Sequence, residues 1–313
     1  MMTHRRHRIA FAALCLLLLA LAACQGPPPP RDEAWRKLIR GHEAYLDLGG
    51  WRLHYVDLGG EGRPVMLVHG FADSAYCWHR NVTALAEGGF RPILVDQPGM
   101  GTSDAPPQGY VYSIENQAAA VWRLADSLGL GRVDLIGSSM GGGIVLYLGL
   151  RHPDRVERVV ALDPAGYKPA KRPASRILTW PVIGRIASAL MGKWTVRRAL
   201  RDVYHDQAKV SDTLVEEYYA PMHRPGYKEA LGGLAGQFFS DEFDRMTGEY
   251  AKFKPRLLII WGDKDTWLPP DMGRRLRLAV PGSRLEMIPN CGHLPHQETP
   301  AVVNPLLLAF LMR

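Results

Sequence analysis

The chain alternates short, unbroken apolar runs with amphipathic stretches. Val65–Val68, Ile93–Val95, Val133–Ile136, Val159–Leu162 and Leu257–Trp261 are continuous apolar runs of strand length. Such runs suit strands buried on both faces, where the usual in–out alternation disappears. Ala44–Leu48 and Arg52–Asp57 flank Gly49-Gly50-Trp51, which predicts a hairpin, and Arg284–Ile288 predicts a last strand. Between strands, Ser113–Leu128 predicts a helix, because Ile114, Ala118, Val121, Leu124, Ala125 and Leu128 share one face. Ser113 is placed to cap it, with Glu115 at the positive end of the dipole. A final helix is predicted to open at Thr299-Pro300, with threonine as cap and proline at the first helical position. The alternation predicts an α/β fold: a mostly parallel central sheet with helices on both faces.

The rhythm changes between residues 167 and 250. Strand-like runs vanish, and aromatics such as Trp180, Trp194, Tyr204, Tyr218, Tyr219, Phe238 and Phe239 sit on helix-like segments. This predicts a helical cap, 167–250, inserted between core segments 42–166 and 251–313.

Length and composition narrow the class little. A chain of 313 residues with 47% hydrophobic and 22% charged residues is ordinary for a globular protein. The formal charge of +7 includes Arg5, Arg6 and Arg8 near the start, and removing the first 23 residues leaves +4. That excess is too small to predict nucleic-acid binding. Those arginines precede an apolar stretch from Ile9 to Ala23, short for a membrane span but suited to a signal-peptide core, 1–23. Its end, Leu21-Ala22-Ala23-Cys24, resembles the lipobox of bacterial lipoproteins. The resemblance implies lipidation of Cys24 and attachment to the cell envelope, with Gln25 implying the outer membrane. Ordinary secretory cleavage and an uncleaved anchor are the alternatives. Pro27 to Pro30 and the polar residues beyond, 24–41 in all, read as a tether. Lys168 to Leu200 holds eight Lys or Arg and no acid. Beside a lipid anchor, that run suggests attraction of the cap to anionic headgroups. Cys77 and Cys291 are read as free buried thiols.

Chemistry concentrates in four short segments. Gly137-Ser138-Ser139-Met140-Gly141 fits G-x-S-x-G, directly after a predicted strand and before a helix-compatible stretch. Symmetric glycines pick Ser139 as the exposed nucleophile and leave Ser138 as a neighbour. Serine needs a base, and the base an orienting acid. Strand ends at Gly262–Asp265 and Asn290–His293 supply both in the order Ser, Asp, His.

Here the chain resembles the α/β-hydrolase family. Its G-x-x-D step followed by an apolar-Pro pair matches Gly262, Asp265 and Leu268-Pro269, selecting Asp265 over Asp263. Asp163, at an earlier strand end, is a third candidate acid. The G-H-x-x-x-x-E-x-P pattern matches Gly292-His293 and Glu298-Thr299-Pro300, selecting His293 over His296. Val68-His69-Gly70-Phe71 resembles the family's oxyanion loop, implying the amides of Phe71 and Met140 as oxyanion donors, with His69 in support. Asp96-Gln97-Pro98-Gly99-Met100-Gly101-Thr102-Ser103-Asp104 resembles a further family signature and is read as a shaped loop anchored by Asp96 and Asp104.

The resemblance implies a serine hydrolase acting through an acyl-enzyme, with Ser139, His293 and Asp265 as triad. The expected reaction is carboxylic ester hydrolysis of a small, apolar acyl substrate. Carbon–carbon bond hydrolysis, lactonase and thioesterase chemistry share that triad, and a catalytically silent binding module is the alternative of another class. Serine at the elbow argues against dehalogenase and epoxide hydrolase branches. No metal or nucleotide motif is present, so no cofactor is expected.

Overall fold

The computed structural model describes residues 31–168, 191–237 and 241–313. The apolar N-terminal stretch, Cys24, the proline run, Trp180, Phe238, Phe239 and Lys171 to Arg185 of the basic run lie outside the described residues. No helix among the described residues is long and apolar enough to cross a membrane.

Eight strands among the described residues form one sheet: β1 (Glu43–Asp47), β2 (Arg52–Asp57), β3 (Arg63–Val68), β4 (Phe90–Val95), β5 (Val133–Ser138), β6 (Val156–Leu162), β7 (Arg256–Gly262) and β8 (Arg284–Ile288). Their order is β1-β2-β4-β3-β5-β6-β7-β8. β1 and β2 pair antiparallel, β2 meets β4 antiparallel, and every later pairing is parallel. The hairpin turns at Gly49 and Gly50, both at positive φ, as a two-residue connection between right-twisted strands requires.

The continuous apolar runs serve two cores. Met66 and Val68 of β3 face one side and Val65 and Leu67 the other; Ile259 and Ile260 of β7 divide likewise. α1 (Glu33–Ile39) and α2 (Val82–Glu87) precede α3 (Ile114–Ser127) and α4 (Met140–Arg151), and the last two cover the first face. α2 helps cover the second. Ser113 caps α3 as expected, accepting from Asn116 N at 3.0 Å.

Between β6 and β7 the described residues form helices: α5 (Lys193–Val203), α6 (Asp212–Tyr219), α7 (Tyr227–Gln237) and α8 (Glu242–Thr247). α9 (Asp271–Ala279), α10 (Pro295–Glu298) and α11 (Pro300–Leu311) complete the chain.

Two expectations need correction. Residues 31–39 are no free tether: they form α1, which buries Trp35 against Tyr76, while Arg31 makes two 2.7 Å bonds to Glu217 of α6. Thr299 precedes α11, but its hydroxyl gives no cap bond; it donates to the Pro295 carbonyl at 3.0 Å. The short α10 runs straight into α11, so its last turn captures that hydroxyl first.

β3 has β4 on one side and β5 on the other, so the chain's winding reverses there. Crevices outside the carboxyl ends of strands at such a reversal are the standard ligand position in open α/β sheets. His69-Gly70-Phe71 leaves β3 at this point and Ser139 leaves β5.

Candidate active site

Ser139 sits between β5 and α4 with φ 54° and ψ −117°. A non-glycine residue rarely adopts positive φ, and holding it there costs on the order of 1–3 kcal/mol. The surroundings enforce it: Ser139 N donates to Leu162 O at 2.9 Å, and its carbonyl accepts from Ala165 N at 2.8 Å. Only glycine fits at 137 and 141. A side chain at 137 would strike the Gly141 carbonyl, and one at 141 the carbonyls of Val68 and His69. Gly142 and Gly143 also serve close packing, but against Pro164 and Ala165 in the loop after β6 rather than the sheet itself.

The expected partners converge. His293 Nε2 lies 2.9 Å from Ser139 Oγ, and His293 Nδ1 lies 2.6 Å from Asp265 Oδ2. Asp265 Oδ1 accepts from the Trp267 and Leu268 amides at 2.8 and 3.0 Å, which fixes the carboxylate plane. His293 N donates to Val203 O at 2.7 Å, tying the histidine loop to the end of α5. All three side chains are buried, and the Trp267 ring stacks 5.9 Å from the imidazole. This geometry gives a hydroxyl, a base and an orienting acid in hydrogen-bonded sequence.

The competitors fall elsewhere. Asp263 pairs with Lys264 and the Cys291 amide. His296 is fully buried against Trp78, and burial pushes it down to about 3, so it stays neutral. Ser138 is buried, with no hydrogen-bond partner for its hydroxyl among the described residues. Glu298 accepts from the amides of Gly292, His205 and Asp206, locking the His293 loop to the chain after α5. Cys77 and Cys291 are separate, buried thiols.

The β3 loop lies against the elbow, for a Cβ on Gly70 would come within 3.2 Å of Ser139 Cβ. His69 holds this loop. Its Nε2 accepts from Gln97 N at 2.9 Å, so the proton is on Nδ1, which donates to Gly70 O at 2.8 Å. Complete burial lowers its pKa and keeps the ring neutral. Met140 opens α4 directly after Ser139, so its N–H has no acceptor within the helix. The signature loop is anchored as read: Asp96 accepts from Ala75 N and Thr102 N at 2.6 and 2.7 Å, and Asp104 pairs with Arg52.

Above the crevice, Phe71 and Met140 join an apolar cluster with Met100, Met222, Tyr227, Leu231 and Leu234, the last three from α7. Met222 comes instead from the turn just before α7. Sequence reasoning missed Asp73, two residues past Phe71. Its Oδ2 accepts from Tyr218 of α6 at 3.1 Å, and Gln297 of α10 donates to that Tyr218 oxygen at 2.7 Å. Burial pushes the Asp73 carboxyl up to about 8.

Asp163, Asp265 and His293 are the one group of such side chains among the described residues whose donor atoms lie within 4.8 Å of one another. His293 Nδ1 is hydrogen-bonded to Asp265, so Asp163 stands as a further acidic neighbour of that pair.

Comparison with known proteins agrees with this construction. The family model described as alpha/beta hydrolase fold matches residues 63–300. A 2-hydroxy-6-oxononadienedioate/2-hydroxy-6-oxononatrienedioate hydrolase of Burkholderia vietnamiensis is 31% identical over 274 residues, covering 84% of this chain and 91% of that protein. A 2-hydroxy-6-oxo-6-phenylhexa-2,4-dienoate hydrolase of Burkholderia cepacia is 29% identical, covering 84% and 92%. Among solved structures, the enol-lactonase of Burkholderia xenovorans superposes with a TM-score of 0.70 at 24% identity, covering 86% of this chain and all of that one. The sheet, the elbow and these matches lead to one conclusion: the chain is a hydrolase belonging to the alpha/beta hydrolase fold family.

Proposed function

We propose that the chain hydrolyses a bond beside a carbonyl carbon in a small, largely apolar molecule, with Ser139 as nucleophile. The Ser139–His293–Asp265 hydrogen-bonded chain carries this reading. His293 takes the hydroxyl proton as Ser139 attacks, and Asp265 holds the imidazole tautomer and stabilises the imidazolium. The amides of Phe71 and Met140 take the oxyanion, each worth on the order of 3 kcal/mol in the transition state. The protonated His293 then gives its proton to the leaving group, and water, activated by the same base, releases the acyl group.

Carbon–carbon cleavage of a dienone is better supported than the carboxylic ester expected from sequence. The relatives named for dienoate and dienedioate substrates match over more than nine-tenths of their own length. One observation favours a second reading, an uncharged ester or enol-lactone. Those relatives' substrates carry carboxylates, while the side chains packed around Phe71 and Met140 are Met, Leu, Tyr, Ala and Val. A buried carboxylate without a partner is costly.

Measuring kcat/KM on 2-hydroxy-6-oxo-6-phenylhexa-2,4-dienoate beside a chain-length series of p-nitrophenyl esters decides the bond. Preference for the dienone is expected; preference for any ester by about a hundredfold, roughly 2.7 kcal/mol, overturns it in favour of the second reading. Failure of a fluorophosphonate to label the folded protein at Ser139 would reject the enzyme mechanism itself.

We also propose lipidation at Cys24 and residence on the periplasmic side of the outer membrane, on the strength of Leu21-Ala22-Ala23-Cys24. Labelled palmitate should enter the wild type and not Cys24→Ser. Vesicle binding that ignores anionic lipid and salt would remove any role for the basic cap.

A further inference from the structure

Asp163 follows β6 at φ 42°, fully buried, with its amide donating to Ile260 O at 2.9 Å. Its Oδ1 accepts from Gly262 N at 3.0 Å, which closes the gap between β6 and β7. Its Oδ2 is buried and has no donor among the described residues. The carboxyl group stands within 4.8 Å of Asp265 and of His293. A purely structural brace between strands needs one acceptor; a second, unpartnered oxygen in a carboxyl group beside another carboxylate needs a different account.

Charge counting supplies it. The charged groups that act most strongly on Asp163 are acidic, Asp265 after β7 and Glu298 on α10, with Cys291 and His293 after β8 close by. Two carboxylates in contact inside a dry site do not both ionise. Asp265 is the better supplied with donors of the two, because it accepts from Trp267 N, Leu268 N and His293 Nδ1. Asp163 has a single amide donor. Those three bonds leave Asp265 one of its roughly four acceptor positions. A proton on Asp163 Oδ2 turns two facing acceptors into a donor and an acceptor.

We propose that Asp163 is a positioning residue of the triad, retaining its proton at neutral pH and donating it as a hydrogen bond to Asp265, so that the two carboxyls share one negative charge. This rests on the triad reading above. Burial, then the charge of Asp265, pushes the Asp163 carboxyl well above the ordinary carboxylate range, in keeping with the geometry. The added bond gives Asp265 a donor beyond the Trp267 and Leu268 amides and His293. The absence of a second charge keeps the imidazole from being overstabilised as imidazolium.

The test uses the whole protein. Infrared spectra at neutral pH should show a buried protonated carboxyl stretch that Asp163→Asn removes. Asparagine keeps the acceptor for Gly262 and offers Asp265 an N–H donor, so kcat should stay within about threefold. Asp163→Leu, lacking any donor, should lose about tenfold or more in kcat with KM little changed, and Asn in its place restores it. At high pH the wild type should depart from a single-base profile as Asp163 ionises, and Asp163→Asn should not. An unchanged carboxyl band in Asp163→Asn, or Asn as damaging as Leu, overturns the proposal. The infrared band does not depend on turnover, so its loss in Asp163→Asn, found together with an active Ser139→Ala, would sink the triad reading and leave the carboxyl pair standing. Should Asp163→Leu not fold, the band and the pH profile of Asp163→Asn decide alone.

Discussion

Among the described residues, two buried histidines are hydrogen-bonded to buried aspartates, and one of these couples has the makings of a catalyst. His293 meets Asp265 at 2.6 Å and His54 of β2 meets Asp96 at 2.8 Å, with every partner buried. They differ in what lies at the far nitrogen. His293 Nε2 faces Ser139 Oγ at 2.9 Å, on a strained turn beside a helix start. His54 Nε2 faces Glu43 Oε1 at 3.4 Å, under a cavity of about 390 Å³ lined by Glu43, Asp96 and the arginines in and beside α1, Arg31, Arg36 and Arg40. Burial disfavours charge on His54, but the hydrogen bond and attraction of Asp96, with Glu43 behind, outweigh it and raise its pKa. That couple is an ion pair holding β2 to the signature loop. A dyad becomes chemistry when a nucleophile and oxyanion donors complete it, not through its own geometry.

The largest expected effect breaks the catalytic couple at its nucleophile: Ser139→Ala should lower kcat by about 10⁴-fold or more, read by single-turnover kinetics on the better substrate. Asp265→Asn comes next, with a loss of about 10³- to 10⁴-fold as the imidazole loses its tautomer control, while the melting temperature moves little. The same treatment of the other couple should reverse the pattern. His54→Gln should leave kcat/KM within a few-fold and cost about 3 kcal/mol of stability in urea unfolding, because Asp96 is left buried without its counter-charge. Large loss of activity with intact stability in His54→Gln would erase the distinction.

The remaining contrast concerns an acid with no histidine and bears on stability alone. Asp96, opposed by burial but held by His54, lies below the ordinary range, whereas Asp73 is pushed up to about 8 by burial. Between pH 4 and 8 the folded state therefore keeps a proton on Asp73 that the unfolded chain has released. Its contribution to stability is full below about pH 4 and is lost as pH rises to 8. Asp73→Asn should flatten that decline, seen by comparing wild-type and variant unfolding at pH 5 and pH 8.

What the sequence disclosed follows the range of the interactions. Ser139, Asp265 and His293 were legible because each sits in a few residues at the end of an apolar run, where local turn chemistry dictates residue type. Strand ends ran past the apolar letters: β5 continues through Gly137 and Ser138, which pair with Ala161 and Leu162 though neither is hydrophobic. α1 was missed because Trp35 is its one buried side chain and seven residues give no period. Asp73–Tyr218 and Arg31–Glu217 span 145 and 186 positions, and no local pattern announces such partners. Asp163 was visible as a candidate acid, but not its standing beside Asp265, which depends on how β6 and β7 are aligned.

The Arg31 clamp bears on how this gene should be cut. Sequence composition invites removal of everything before residue 41 as dispensable linker. Such a truncation deletes Arg31, Asp32 and Trp35, and strands Glu217, a carboxylate only 5% exposed, without its guanidinium and amide donors. Shortened versions for expression should begin no later than Arg31, or replace Glu217 by a neutral residue in the same step.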